Sequence, residues 1–534
     1  MATLQFKGKS AVWNHHLSVP YHTLEKDAKK SFKGADAEEN LIIEGDNLLA
    51  LKSLLPKYQG RIKCIYIDPP YNTGKEGWIF NDNVNSPTIR DWVGKVVGQE
   101  GEDLTRHDKW LCMMTPRLKL LWELLADDGV IFVSLDDNEL YNGRIILNEI
   151  FDEKNFVQNF MWLHGKGKKD KYSRTLQQYI LCYAKRKESL QPWVLLKGKN
   201  YTFENPDNDL RGPWFSGSVS FSEERSNKSH PNYYKITSPS GIIWERQWQC
   251  SEDEMKEYLS QDKIYFGPAP KYENVPRLKI FPTDEEEVIP PNIFDDVGTT
   301  RQAQKHLDEI FGKNYFENPK PVELIKRLIG LSTNEQDIIL DSFAGSGTTA
   351  ESVIELNAQE KSKRTYILVQ LPEEIKKDTP AYKDGFRWVH EITRERVKRV
   401  IAKNKYKTGF TYYTLGSSID AESILTGKLP TYKEFAKYVY YLATGKNHPD
   451  EKKIKEDNSF VGKTDHQSVY LVYEKNADAL KKLAITLDWA QKTHKKDTNK
   501  KIVYAPACYL DDEALEQFNI KFVSIPYNLF ERAT

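Results

Sequence analysis

Cysteine is scarce in this 534-residue chain. The five that occur (Cys64, Cys112, Cys182, Cys250 and Cys508) are odd in number, scattered, and never arranged as C-x-x-C. That argues against a disulfide framework or a structural zinc and fits a reducing, cytoplasmic compartment. The histidines, among them His15, His16, His22 and His107, form no ligand spacing, so no metal is expected. Excess charge of either sign is missing too: 77 basic residues face 77 acidic ones. This counts against non-specific coating of nucleic acid but leaves room for a local basic groove. No run approaches the roughly 18 apolar residues of a membrane span, and the first residues carry no signal-like apolar core. No membrane partner is expected. Internal repeats and low-complexity tracts are also lacking. What is there is a globular composition, 39% hydrophobic, 29% charged and 12% aromatic, in a chain long enough for two or three domains.

The order of patterns is informative. Residues 1–39 are polar with weak periodicity and are expected to form an N-terminal arm. Asn40–Asp46 has strand character, Asn47–Leu55 helical spacing, and Ile62–Ile67 strand character again, which is the unit of a parallel sheet. A long loop is expected over 72–108, then a helix at Trp110–Leu125 kinked or opened by Pro116, and a buried strand at Val130–Leu135. Phe156–Leu163 and Tyr179–Ala184 are further strands. They flank a basic stretch, Lys166, Lys168, Lys169, Lys171, Arg174, Lys185, Arg186 and Lys187, read either as a nucleic-acid groove or as a solvated face. From 190 to 300 helical periodicity fades while Pro, Gly, Trp and Tyr become frequent, which marks a strand-rich inserted module. Helix and strand alternate again over 301–409. Residues 410–534 read as a small α/β domain with a helix at Ala477–Leu487 and a basic turn at Lys492–Lys501.

Two segments carry chemistry. Asp68-Pro69-Pro70-Tyr71 closes the apolar run Ile62–Ile67. Two prolines hold φ near −65°, so the loop is stiff. The carboxylate accepts a hydrogen bond from an amine and the ring stacks on a planar base, which points to an exocyclic amine of a nucleobase. The second segment, Asp341-Ser342-Phe343-Ala344-Gly345-Ser346-Gly347-Thr348-Thr349, follows a strand and opens a helix. No Lys follows Gly347, so it is not a P-loop. A dinucleotide fingerprint has Ala350 where its third glycine belongs. A nucleoside-sulfonium site remains, with Asp341 facing the ligand ammonium. Asp46 is placed to be the N-cap of the helix after it.

With both motifs in hand, the chain resembles the amino-group DNA methyltransferases. The resemblance rests on Asp68–Gly74, on Asn318-Pro319-Lys320-Pro321-Val322-Glu323-Leu324-Ile325 and on Asp341–Thr349, in that order, with a module between the first and the last. This order is that of the β group of the family. The tail, at Lys433–Tyr438 and Ile502–Ala507, resembles the modification subunits of Type III restriction–modification systems. The resemblance implies an α/β fold, a Rossmann-like and largely parallel seven-stranded sheet, with an inserted target-recognition domain and a small C-terminal α/β domain. The domains implied are an arm at 1–39, a catalytic half at 40–189, a recognition domain at 190–300, a cofactor half at 301–409 and a C-terminal domain at 410–534.

The same resemblance implies S-adenosyl-L-methionine as cofactor. Its site would comprise Asp46, Lys320, Pro321, Asp341, Phe343, Gly345, Gly347, Thr348 and Gln370, and the catalytic residues would be Asp68, Pro69, Pro70 and Tyr71. Gln370 stands where many relatives carry a ribose-binding Glu. The implied partners are duplex DNA, a second copy of the chain and a restriction (helicase/nuclease) subunit. The implied reaction is methylation of adenine N6 after the base flips out of the duplex. Cytosine N4, an RNA or protein amine, and a non-catalytic DNA-reading role stand as alternatives.

Overall fold

A computed structural model describes residues 3–73, 105–165, 172–193, 195–196, 203–281, 287–419, 429–454, 456 and 459–525. Most of the expected long loop (74–104), and Lys166, Lys168, Lys169 and Lys171 of the basic stretch, lie outside the described residues. By its internal contacts the chain divides into two bodies. One comprises Met1–Gln191 with Asn292–Thr534, the other Pro192–Pro291.

The larger body is organised on a ten-stranded sheet. Its strands in chain order are β1 (Tyr21–Phe32), β2 (Leu41–Glu44), β3 (Ile62–Ile67), β4 (Leu125–Leu135), β5 (Phe156–Leu163), β6 (Gln177–Ala184), β7 (Ile293–Phe294), β8 (Ile338–Asp341), β9 (Thr365–Gln370) and β10 (Phe410–Ile419). Their spatial order is β1-β10-β2-β9-β8-β3-β4-β6-β5-β7. Neighbours from β10 through β4 run parallel, and β6 lies antiparallel between β4 and β5. The seven strands from β2 through β5 form the expected, largely parallel layout; β1 and β10 extend one edge and β7 the other. Every residue of β9 is buried, so both faces of the sheet are covered, as parallel strands require.

The crossovers are helical: α1 (Asn47–Tyr58), α2 (Arg106–Leu124), α3 (Leu140–Phe151), α4 (Thr300–Phe311), α5 (Val322–Ser332), α6 (Thr348–Glu360) and α7 (Val389–Asn404). Leu48, Leu51 and Leu55 of α1 and Leu111, Met114, Leu118 and Leu121 of α2 recur at helical spacing. They pack with Ile43, Ile65, Ile67, Ile131 and Val133 of the strands in one buried cluster. A Thr105–Asp108 capping box starts α2, which runs through Pro116. α5 packs on α6 and reaches β3 and β4.

Three expectations change. The segment 1–39 is not only an arm: β1 pairs antiparallel with β10 along most of its length. Its residues are mostly half-exposed at a sheet edge, so no apolar run marks it in the sequence. Residues 410–419 belong to the large sheet rather than to a separate tail domain, because β10 also pairs with β2. The expected helix Ala477–Leu487 is a single turn, Ala477–Leu480, and the following helix, Leu487–Lys496, takes up the first half of the expected basic turn. Beyond β10, the strands Phe460–Lys463, Gln467–Leu471, Lys500–Ala505 and Ile520–Ser524 form a four-stranded sheet. It packs with the helix Tyr432–Thr444. Tyr441 of that helix enters the main core and donates to Glu123 at 3.3 Å.

The smaller body is strand-rich. It holds the strands Phe215–Ser218, Tyr233–Thr237, Ile243–Gln247, Ile264–Tyr265 and Arg277–Ile280 and the helix Glu252–Ser260. Its core is Val219, Ile236, Trp248, Cys250, Met255, Ile264 and Phe266.

Candidate active site

The two motifs meet because their strands are neighbours. β8 pairs with β3 in parallel, Leu340 opposite Ile65, so both strands end at the same edge of the sheet. Asp68 follows β3 and Asp341 closes β8, and both line one cleft together with Lys320, Phe343, Gly345 and Thr348. Crevices at the carboxyl ends of parallel strands are where open α/β sheets bind ligands.

On the β3 side, Asp68 is held at both oxygens. Tyr71 donates its hydroxyl to Oδ1 at 2.6 Å, and Lys320 places Nζ 2.5 Å from Oδ2. Tyr71 is 6% exposed and its hydroxyl also donates to Gln178 Oε1 at 3.2 Å. Burial, then the nearby Asp68 charge, pushes the phenol well above its ordinary value, so it stays protonated as a donor. The loop is braced from α2: Trp110 donates Nε1–H to the Pro70 carbonyl at 2.7 Å. Asn72 follows with φ 57°. Its side-chain amide donates to the Arg106 carbonyl at 3.1 Å and to the fully buried Glu139.

On the β8 side, Asp341 is 3% exposed. It accepts from the Phe343 N–H at 3.0 Å and from the Thr349 hydroxyl at 2.5 Å. Burial outweighs these bonds and pushes its carboxyl up to about 7. The loop turns through Gly345 (φ 52°) and Gly347 (φ 85°). A Cβ at Gly347 would lie 3.2 Å from both Cγ2 and the carbonyl oxygen of Thr393. The positive φ and the close approach of Thr393 both favour glycine there.

The loop is also gripped from behind. Arg396 of α7, 1% exposed, donates to Ser346 and Thr348 at 2.7 Å each and pairs with the buried Glu351 at 2.6 Å. His306 of α4 holds the other Glu351 oxygen at 2.7 Å. Burial opposes ionisation of Glu351, but Arg396 and His306 together hold it down to about 2. Thr393 donates to the Gly345 carbonyl at 2.6 Å.

Most sequence-predicted residues converge on this edge, and several of them have partners within the protein. Lys320, expected at the methionine end of a cofactor, has its charge on Asp68. Pro321 is the N-cap residue of α5. Gln370, expected on a ribose, has its amide engaged by the protein: Oε1 accepts from Gly345 N–H at 2.7 Å and Nε2 donates to the Leu371 carbonyl at 3.2 Å. Asp46 caps α1 by accepting from Leu48 N–H at 2.7 Å and lies 3.4 Å from Arg117.

Sequence reading missed Trp110, Gln178, Glu139, Arg396, Glu351 and Thr393, which touch the loops only through the fold. At the strand end Gln370-Leu371-Pro372-Glu373 it took Gln370 for the ribose and left Glu373, just beyond β9, without a role. Burial pushes that carboxyl up to about 8, and its Oε2 has no hydrogen-bond partner among the described residues. The basic stretch is divided. β6 runs antiparallel and carries the chain away from the site, so Lys185 and Arg186 emerge beside Gly129 and Asp127 at the opposite end of the sheet.

A family model described as DNA methylase matches residues 62–381. Among curated relatives, the chain is 34% identical over 395 residues to the Type III restriction-modification enzyme StyLTI Mod subunit of Salmonella typhimurium, covering 71% of this chain and 59% of that one. It is 30% identical over 430 residues to the EcoP15I Mod subunit of Escherichia coli (71% and 65%). It is also 30% identical over 450 residues to the EcoPI Mod subunit of Escherichia phage P1 (73% and 68%). The chain belongs to the DNA methylase family, among the Type III modification subunits. It spans about 59% and 65% of the lengths of the first two relatives. Among solved structures, the PvuII cytosine-N4-specific DNA methyltransferase matches at 13% identity with a TM-score of 0.34, over 68% of this chain and 94% of that one.

Proposed function

We propose that the chain is a site-specific DNA methyltransferase that methylates adenine N6 in duplex DNA with S-adenosyl-L-methionine, as a modification subunit of a restriction–modification system. One observation carries this reading: an amine-accepting carboxylate on a stiff loop and a buried, glycine-shaped loop share a single cleft. The EcoP15I and StyLTI relatives, named as Type III Mod subunits, support the setting.

The residues present fit the cofactor. Asp341 is a buried carboxyl bonded by two neutral donors, and a ligand ammonium would stabilise its charged form. Ser342 Oγ in the same loop, and Glu373 Oε2, are buried with no hydrogen-bond partner among the described residues. Since Gln370 is spent on the loop, Glu373 is the acidic group we assign to the ribose hydroxyls, with Phe343 and the Gly345–Thr348 backbone along the methionine chain. Asp46, at the neighbouring strand end, completes the adenosine side. Bound there, the cofactor would supply an electrophilic methyl group to the amine nitrogen, with the sulfur as leaving group, and the methylated amine would then give up a proton.

The chain's own residues do the rest. A flipped adenine stacks on Tyr71, an interaction of about 1–3 kcal/mol. Asp68 accepts a hydrogen bond from the amine, and the Pro69 carbonyl accepts a second. Both draw the nitrogen toward tetrahedral geometry and free its lone pair. Asp68 also stabilises the positive charge that the amine acquires. The remaining contribution is alignment. Single-molecule sequencing of DNA from cells expressing the chain tests the reading. N6-methyladenine at one recurrent motif is the expected result; N4-methylcytosine at that motif, or unmodified DNA, would overturn it. A second copy of the chain and a restriction subunit are proposed as partners by the same kinship.

A further inference from the structure

Lys320 reaches Asp68 from 252 positions away in sequence. Its side chain is 7% exposed. Nζ also lies over the Tyr71 ring at 5.1 Å and over the Trp162 ring at 6.0 Å. The ammonium therefore sits on the base side of the cleft, at the ring against which a flipped base would stack. Asp341 and His164 also feel its charge.

An ammonium has three donors and no acceptor, and a carboxylate offers about four lone-pair sites. Among the described residues Nζ spends one donor on Asp68. The two side-chain donors on Asp68, Tyr71 and Lys320, leave it able to accept again. The pair thus offers an acceptor and a donor side by side. On their Watson–Crick edges two of the four DNA bases offer the complement, an exocyclic amine next to a ring nitrogen with a free lone pair: N6 with N1 in adenine, N4 with N3 in cytosine. On that edge guanine sets its amine beside a ring N–H, and thymine sets a carbonyl beside one. Either would leave a buried polar group facing its own kind, which is what makes such sites reject a wrong ligand.

We propose that Lys320 donates a hydrogen bond to the ring nitrogen beside the reacting amine, so that Lys320 and Asp68 together read the amidine edge of the flipped base. This rests on the DNA-base reading above and adds the contact that admits adenine and cytosine and refuses guanine and thymine. The contact draws electron density from the amine, so its benefit falls on base binding rather than on the chemical step.

The test uses the full chain and short duplexes carrying its mapped site, with the target adenine either natural or replaced by 1-deazaadenine, which keeps the amine and loses the ring acceptor. Methyl incorporation and duplex affinity are measured for wild type, Lys320→Met and Lys320→Arg. Each protein is scored by its own ratio between the two duplexes, so loss of folded material cancels, and the affinity ratio survives even in an inactive variant. Wild type should disfavour the analogue about 10- to 100-fold, the range of a charged hydrogen bond. The effect should appear mainly in KM. Lys320→Met should be poor on both duplexes with a ratio near one, and Lys320→Arg should recover part of the discrimination. The same ratio in wild type and Lys320→Met would overturn the role of Lys320 while leaving the DNA reading intact. A wild type that methylates neither duplex would overturn both.

Discussion

The loops after β3 and β8 begin in the same way, with a carboxylate at the end of a buried parallel strand, and then diverge. Asp68 leads into two prolines, is bonded by a cation and a phenol, and is braced through the Pro70 carbonyl by Trp110. Asp341 leads into glycines with positive φ, is bonded among the described residues by a backbone N–H and a hydroxyl, and holds its proton up to about pH 7. The contrast separates two tasks. Proline serves where side chains must be aimed and the backbone held stiff. Glycine serves where the backbone itself must approach a ligand. Asp68 already has its counter-charge, whereas Asp341 lacks a bonded one, which a ligand can bring.

The comparison is broken most strongly at Asp68. Asp68→Ala should lower kcat by at least about 10²–10³-fold while cofactor affinity by calorimetry stays within a few-fold. Near-normal turnover would remove Asp68 from the chemistry. Asp341→Asn should do the reverse, weakening cofactor binding by roughly 10- to 100-fold, as expected for loss of a charge-assisted contact.

The pH behaviour sharpens this. With the carboxyl raised from 3.8 to about 7, the unfolded chain ionises first. The contribution to stability is therefore full below about pH 4 and is lost as the pH climbs to about 7. A ligand ammonium needs the ionised form, so binding below pH 7 releases a proton and cofactor affinity should rise up to about pH 7, then level. In Asp341→Asn both profiles should flatten, as followed by thermal melts of the cofactor-free protein and by calorimetry across that range.

Gly347→Ala is a smaller break. Its left-handed backbone costs an L-residue about 1–2 kcal/mol, and the added Cβ crowds Thr393. Cofactor affinity should fall roughly 5- to 30-fold with little change in duplex affinity. The mildest change is Tyr71→Phe. It removes the hydroxyl bonds to Asp68 and Gln178 but keeps the ring and leaves Asp68 on Lys320, so kcat should fall by no more than about tenfold, less than the full worth of a hydrogen bond to a charged group. A larger loss than for Tyr71→Ala would show that the ring is not the stacking surface.

Both loops were legible in the sequence because each is a contiguous segment whose residue types have local consequences. So were β3, β8 and β9, whose runs are buried along most or all of their length. β1 was not, because a half-exposed edge strand is stabilised by its partner β10 rather than by an apolar pattern of its own. The grip of Arg396 on Ser346 and Thr348 was illegible for a related reason: in the sequence Arg396 is one basic residue among several on α7, and only its burial distinguishes it.

By itself, then, the sequence determined the chemistry each loop can offer: a fixed carboxylate with an aromatic ring, and a glycine turn at a helix start. Tertiary structure alone decided what those groups face. Parallel pairing of β3 with β8 brought the two carboxylates to one cleft, and the loop before α5 set Lys320 on Asp68. Contacts between distant segments, and the burial that shifts Asp341, follow from how elements pack, and no local pattern of residues encodes them.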